Sequence, residues 1–346
     1  MGDDNGRFTT IGENIHTTRV LLRRGKRIVE APDGRESVRF RDRGSESGYL
    51  PIPDDVKRSQ DYEEGRVKHV GIAVRTAMAG GPDAPIALEY LATLVQRQER
   101  AGADYLDLNV DEVSLKPDEQ QHAMAWLAGM VQDTGSTPLS IDSSNSDTIR
   151  TGLEVVDAGR AGRPLMNSAS LERIDVLDDV KRFDTRVVVT AAGESGMPAG
   201  AGERADNATR IIEAALGKGI EAADIFVDPL VFPISVDIEF GNHCLDAVRT
   251  IRDRFGPDIH ITGGFSNVSF GMPQRRLIND VFLLLALQAG ADSGIVDPVT
   301  SHLDEVRGMD RESVRYRMAE DLLLGRDDRC KAFLRAHRRG HLNEEA

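Results

Sequence analysis

Nine side chains of this 346-residue chain stand where chemistry could be done. Glu13, Asp107, Asn109, Asp142, Asn167, Glu194, Asp228, Asn267 and Asp297 each lie in or just past a short β-type run. Carboxylates accept hydrogen bonds, while carboxamides both donate and accept. A set built from the two suits the edge of a flat heterocycle carrying amino, ring N–H and carbonyl groups. No Ser-His-Asp order, phosphate-binding glycine loop or metal-ligand spacing accompanies it, so no resident metal is expected.

The most informative stretch runs from Ile261 to Arg275. Paired glycines, Gly263 and Gly264, allow close approach by a ligand or unusual dihedrals. Ser266 and Asn267 then stand on constrained backbone, and an apolar helix follows from about Leu277 to Ala289.

The elements that must position these residues repeat. Phe8–Ile11, Tyr105–Val110, Pro138–Ile141, Arg163–Met166, Arg186–Thr190, Asp224–Val227 and Ile259–Ile261 read as strands, with Asp292–Val296 as a weaker eighth. Between them, Ala84–Arg100 (Leu88, Leu91 and Val95 at helical spacing, Asp83 as N-cap), Asp118–Gln132 and Ala205–Leu216 read as helices. About eight strand–helix repeats predict an α/β fold, a (β/α)8 TIM barrel, over a doubly wound open sheet. In a barrel every strand's C-terminal end faces one mouth, so residues distant in sequence converge there. The whole chain is expected to be one barrel domain, with an insertion at 17–68 after the first strand and a helical tail at 302–346. Residues 19–43 hold nine Arg or Lys against four Asp or Glu, a basic island that predicts a solvated hairpin or dimer contact, with a lid or docking surface as the sharper alternative.

Composition narrows the class. A formal charge of −14 argues against nucleic acid as the main partner. Two cysteines, far apart, make a disulfide framework unlikely and fit a reducing compartment. No h-region and no membrane-length apolar run is present, so a cytoplasmic protein away from membranes is expected. Trp126 falls on the apolar face of a predicted helix and is expected in the core. His243, Cys244 and His260 are expected to be structural.

Six motifs occur in order: Ile11-Gly-Glu-Asn-Ile15, Leu106-Asp-Leu-Asn-Val110, Ile141-Asp-Ser-Ser-Asn145, Met166-Asn-Ser-Ala-Ser170, Val227-Asp-Pro-Leu230 and Gly264-Phe-Ser-Asn-Val-Ser269. Together they resemble the pterin-binding methyltransferase family, which includes methyltetrahydrofolate:corrinoid methyltransferases and the folate-binding module of cobalamin-dependent methionine synthase. The likeness spans residues 7–16 and 69 to the tail. It implies that Asp142, Asn167 and Asp228 bond a pterin edge, with Asp228 on the amino-pyrimidine side. Asn267 would sit beside N5, Arg275 would contact folate and Glu13 would match a mouth carboxylate, with Asn109 and Ser266 as further binding residues. The implied reaction moves a methyl group between N5 of tetrahydrofolate (5-methyltetrahydrofolate when loaded) and a corrinoid (cobalamin) on a partner protein, in one-carbon or demethylation metabolism. A homodimer is the expected assembly.

Methyl transfer from a tertiary amine requires N5 to be protonated in or before the transition state. A rotatable Asn267 carboxamide would accept from that proton, which itself would come from water or an extended network. His16 departs from the family, which usually has Asn there. Its imidazole titrates near neutral pH and could supply the proton; the bland reading is a mouth histidine paired with a carboxylate. Three competing readings stay open: direct demethylation of a small methylated substrate, a dihydropteroate synthase-like reaction, and a folate-binding or scaffolding protein that kept the pocket and lost turnover. Against the second, the final strand ends in Val296-Asp-Pro-Val-Thr300, without the expected Arg-x-His element.

Overall fold

A computed structural model describes residues 7–343. Its main sheet contains β1 (Thr9–His16), β2 (Tyr105–Asn109), β3 (Leu139–Asp142), β4 (Leu165–Ala169), β5 (Arg186–Thr190), β6 (Ile225–Asp228), β7 (His260–Ile261) and β8 (Ser293–Val296). Their order is β7-β6-β5-β4-β3-β2-β1-β8. The two end strands also meet: Gly264 and Ile295 form a parallel bridge, and Ile295 N donates to Gly263 O at 3.0 Å. The ring of eight parallel strands is a TIM barrel, as expected. No helix among the described residues is long and apolar enough to cross a membrane.

The first and fourth strands differ from their expected bounds. β1 continues past Ile11 to His16, so Glu13 and His16 lie within a strand and not after it. β4 starts later than expected and includes Asn167. Barrel strands are covered on both faces, so inward polar residues do not break them even though they break the apolar pattern.

The chain packs as two compact units, one of residues up to Ile11 with Ser168 onward, the other Gly12–Asn167. In the Gly12–Asn167 unit the main helices are α1 (His69–Ala79), α2 (Ala84–Arg100), α3 (Pro117–Thr134) and α4 (Ser146–Val155). α2 has the bounds expected, with Ala87, Leu91, Leu94 and Val95 buried, but Leu88 points outward at 39% exposure. Asp83 makes no cap hydrogen bond; its carboxylate accepts from Arg35 Nη1 instead, at 2.8 Å. Trp126 is half-buried, not core. α4 starts where Asn145 Oδ1 accepts from Asp147 N and Thr148 N, a normal N-cap.

Residues 17–68 fold into an antiparallel meander (Ile28–Glu30, Glu36–Arg41, Ser47–Pro51), a pairing of Leu21–Leu22 with Arg66–Val67, and short helical turns. Their arginines meet acidic partners at α2: Arg35 pairs with Asp83 and Arg43 binds Glu89 through two nitrogens. Arg27 Nη2 donates to Tyr90 OH at 2.8 Å, and Phe40 packs edge-on to the same ring. The basic island is therefore held against α2.

In the other unit α5 (Leu177–Arg182), α6 (Ala201–Gly217), α7 (Phe240–Phe255) and α8 (Arg275–Ala289) follow β4 to β7. α8 buries Leu277, Ile278, Val281, Phe282 and Leu285. The tail adds Leu303–Arg307, Val314–Leu323 and Lys331–Arg338, with Tyr316, Leu322, Leu323 and Phe333 buried; residues 344–346 of the expected tail lie outside the described residues. The α7–tail contact is tight, since a Cβ on Gly241 would fall on the Leu323 carbonyl oxygen. Cys244 and Cys330 are free and buried. His260 pairs with Asp292 at 3.0 Å and stacks on Phe226, a structural role.

Candidate active site

In the Gly12–Asn167 unit, register does the assembling. Asn109 pairs with Asp142 across β2 and β3, and Asp142 with Asn167 across β3 and β4. Registered residues on parallel neighbours point to one face, so the three side chains form a row. Asn109 Nδ2 donates to Asp142 Oδ2 at 2.8 Å, while its Oδ1 accepts from Asp111 N at 3.0 Å. Asp111 in turn accepts from Ser143 Oγ and Ser144 N, fastening the loop after β2 to the one after β3.

Asp107 lies two residues below Asn109 on the same face, fully buried. His16 Nε2 contacts its Oδ2 at 2.7 Å, and Asn167 Nδ2 approaches its Oδ1 at 3.4 Å. Burial works to lower the His16 pKa, but the Asp107 hydrogen bond and the charges of Asp107, Asp142 and Glu13 outweigh it and hold it above the ordinary value. Burial, followed by the Asp107 charge, pushes Asp142 up to about 7. Near neutral pH this cluster can therefore hold or release protons. The ligand atoms of His16, Asp107 and Asp142 lie within 4.8 Å of one another, a proximity that spacings of tens of residues could not reveal. Glu13 accepts from Arg19 Nη1 at 3.0 Å.

In the other unit Asp228 ends β6, and its Oδ1 accepts from Leu230 N at 2.7 Å. Burial raises its carboxyl to about 6, with the Leu230 N–H and the Arg204 charge opposing. Arg204 was not singled out from the sequence. Its guanidinium is fully buried and stacks over Phe232 at 4.6 Å.

After β7 the chain curls into a tight turn at Phe265–Ser269. Gly264 leaves the Asn267 carboxamide its room there, since an added Cβ would lie 2.9 Å from Asn267 Nδ2 and push it aside. The Asn267 side chain makes no protein hydrogen bond among the described residues and is half-buried. Arg275, the first residue of α8, braces the turn: Nε donates to Ser269 Oγ and Nη2 to Ser266 O, both at 3.0 Å, and the guanidinium lies over Phe270. Ser266 thus engages Arg275 through its backbone.

Two expected residues have other partners. Glu194 is largely exposed and ion-paired with Arg210. Asp297 Oδ1 accepts from Val299 N at 3.0 Å, closing a turn.

Residues 87–297 match the family model for pterin binding enzymes. The chain belongs to the pterin-binding enzymes. Within them it is 29% identical over 252 residues to the methylcorrinoid:tetrahydrofolate methyltransferase of Eubacterium limosum, a match spanning 71% of this chain and 86% of that one. Over 264 residues it is 30% identical to methionine synthase of Mycobacterium tuberculosis, across 70% of this chain but 22% of that protein. Both relatives are methyltransferases, and the chain falls in that branch of the pterin-binding enzymes. Solved structures of dihydropteroate synthase share the fold: that of Stenotrophomonas maltophilia with TM-score 0.52 and 17% identity (64% of this chain, 86% of that chain), and that of Xanthomonas albilineans bound to 7,8-dihydropteroate with TM-score 0.51 and 20% identity (67% and 88%).

Proposed function

We propose that this pterin-binding enzyme moves a methyl group between N5 of tetrahydrofolate and a corrinoid carried by a separate protein. The observation that carries the reading is the Asn267 carboxamide, which has no protein hydrogen bond among the described residues and for which Gly264 leaves room. In the proposed mechanism Asp142 and Asn167 bond the pterin edge and Asp228 accepts from its amino-pyrimidine side. Asn109 orients Asp142, and Arg275 contacts folate from the base of the turn, with Ser266 and Glu13 as further binding residues. Asn267 accepts from the proton on N5, stabilising charge as it develops. His16, held charged by Asp107, supplies that proton. The corrinoid's cobalt supplies the group that takes up or gives the methyl. Similarity to a methylcorrinoid:tetrahydrofolate methyltransferase over most of that relative's length supports the pairing of folate with a corrinoid partner.

The test is spectral: purified protein, 5-methyltetrahydrofolate and free cob(I)alamin. Methylcobalamin should form at a rate proportional to enzyme. Folate binding without methylcobalamin would sink the corrinoid step and favour a folate-binding protein without turnover, or direct demethylation of a small substrate. Against dihydropteroate synthase chemistry, Val296-Asp-Pro-Val-Thr300 after β8 offers no arginine.

A further inference from the structure

Arg204 is a charged side chain with no solvent exposure and no ion pair among the described residues. Its Nη1 and Nη2 have no hydrogen-bond partner among the described residues. A buried guanidinium without a partner is costly and calls for a reason. Stacking over Phe232 at 4.6 Å and Phe240 at 5.8 Å offsets part of the cost. The rest of the surroundings point one way. Arg204 Nε reaches the Leu230 carbonyl at 3.4 Å, while the Leu230 N–H is bound by Asp228 Oδ1 at 2.7 Å. Leu230 itself has φ of 69°, left-handed backbone uncommon for a branched side chain. The Asp228–Leu230 turn is thus gripped on one side by Asp228 and on the other by Arg204.

We propose that Arg204 is a positioning residue for pterin binding: it clamps the left-handed turn at Leu230 and supplies a buried positive charge to the Asp228 carboxylate. The proposal rests on the pterin-binding role given to Asp228 above. Within this unit the titratable groups around Asp228 are Arg204 on α6 and the Cys244 thiol on α7. Burial pushes that thiol up to about 12, so it stays neutral. Arg204 therefore supplies the opposing charge that, after the Leu230 N–H, works to keep Asp228 ionised against a burial that drives its pKa upward.

The test compares wild type, Arg204→Met and Arg204→Lys, each checked for folding by circular dichroism. Binding of 5-methyltetrahydrofolate is measured from pH 5 to 8.5, and the Asp228 carboxyl is titrated by carbon NMR, its signal assigned as the one lost in Asp228→Asn. In wild type, binding should fade as pH drops through the Asp228 titration. In Arg204→Met both that titration and the acid limb of binding should move up by about one pH unit, costing about tenfold in affinity on the acid limb. Arg204→Lys should restore the wild-type limb. A folded Arg204→Met with an unmoved Asp228 titration overturns the proposal. Should Arg204→Met fail to fold, an acid limb that survives in Asp228→Asn overturns it equally. Wild type that binds no folate at any pH while the carboxyl still responds to residue 204 would instead overturn the functional reading.

Discussion

His16 Nε2 lies 2.7 Å from Oδ2 of Asp107, a carboxylate with no exposure to water. That contact and the neighbouring carboxylates hold the imidazole above its ordinary value despite burial. The protonated form is the acid, so turnover should fall as pH rises through the raised value. His16→Asn should abolish this basic limb and lower turnover by about 100-fold at pH 7. A raised folded-state pKa stabilises the fold below about pH 6.5, and the benefit fades at higher pH. Urea melts of wild type and His16→Asn should therefore converge as pH climbs from 6.5. An unchanged pH–rate profile in the variant would remove the acid role.

Asn267 is assigned to the transition state and not to ground-state affinity. Asn267→Ala should lower turnover by about 100-fold while shifting the Kd for 5-methyltetrahydrofolate by less than about threefold. Stopped-flow turnover beside equilibrium titration separates the two. Intact turnover would show that N5 is served by another group.

Asp228 carries the opposite stability sign from an ordinary salt-bridged carboxylate. Its folded value, about 6, lies above the ordinary 3.8, so the fold is penalised increasingly from pH 3.8 to about 6 and uniformly above. Asp228→Asn should match wild type at pH 4 and exceed it at pH 8 by about 1–2 kcal/mol, allowing for partial exposure. The same variant should lose about 30-fold in folate affinity, because an amide N–H then faces ligand donors. Chemical denaturation and calorimetric titration check the two halves.

Gly241 tests the α7–tail contact. Its missing Cβ leaves space for the Leu323 carbonyl, and backbone cannot step aside as a side-chain tip can. Gly241→Ala should cost about 2–3 kcal/mol, read as a lower urea midpoint with an unchanged slope. A neutral result would mean that the tail shifts freely.

Much of this was legible in the sequence, for identifiable reasons. Parallel strands repeat an apolar run, and α2 carries a clear helical stripe, so the barrel and even the ends of Ala84–Arg100 could be read. Asp142 and Asp228 close strands that were visible as such. The extension of β1 was not, because Glu13, Asn14 and His16 break the apolar pattern while sitting inside a ladder. The strand Glu36–Arg41 alternates Val38 and Phe40 with Arg39 and Arg41, a period-2 signal hidden by its charge. Arg204 was invisible for another reason: Gly-Glu-Arg-Ala-Asp reads as a solvated helix face, and only tertiary packing brings the guanidinium against Phe232 and Leu230. His16 and Asp107 are 91 residues apart, a separation at which no local pattern operates.

The ring closes at its thinnest point. β7 contributes two paired residues, and the seam to β8 is completed by the bridge between Gly264 and Ile295. The turn bearing Asn267 begins where this ladder stops, so the proposed chemistry follows directly on the shortest strand of the main sheet. The turn itself is anchored by packing: Phe265 and Val268 are buried, and Ile234 N donates to Val268 O at 3.0 Å. Such an arrangement leaves side-chain packing, and not strand pairing, to hold the residue proposed to handle the methyl group.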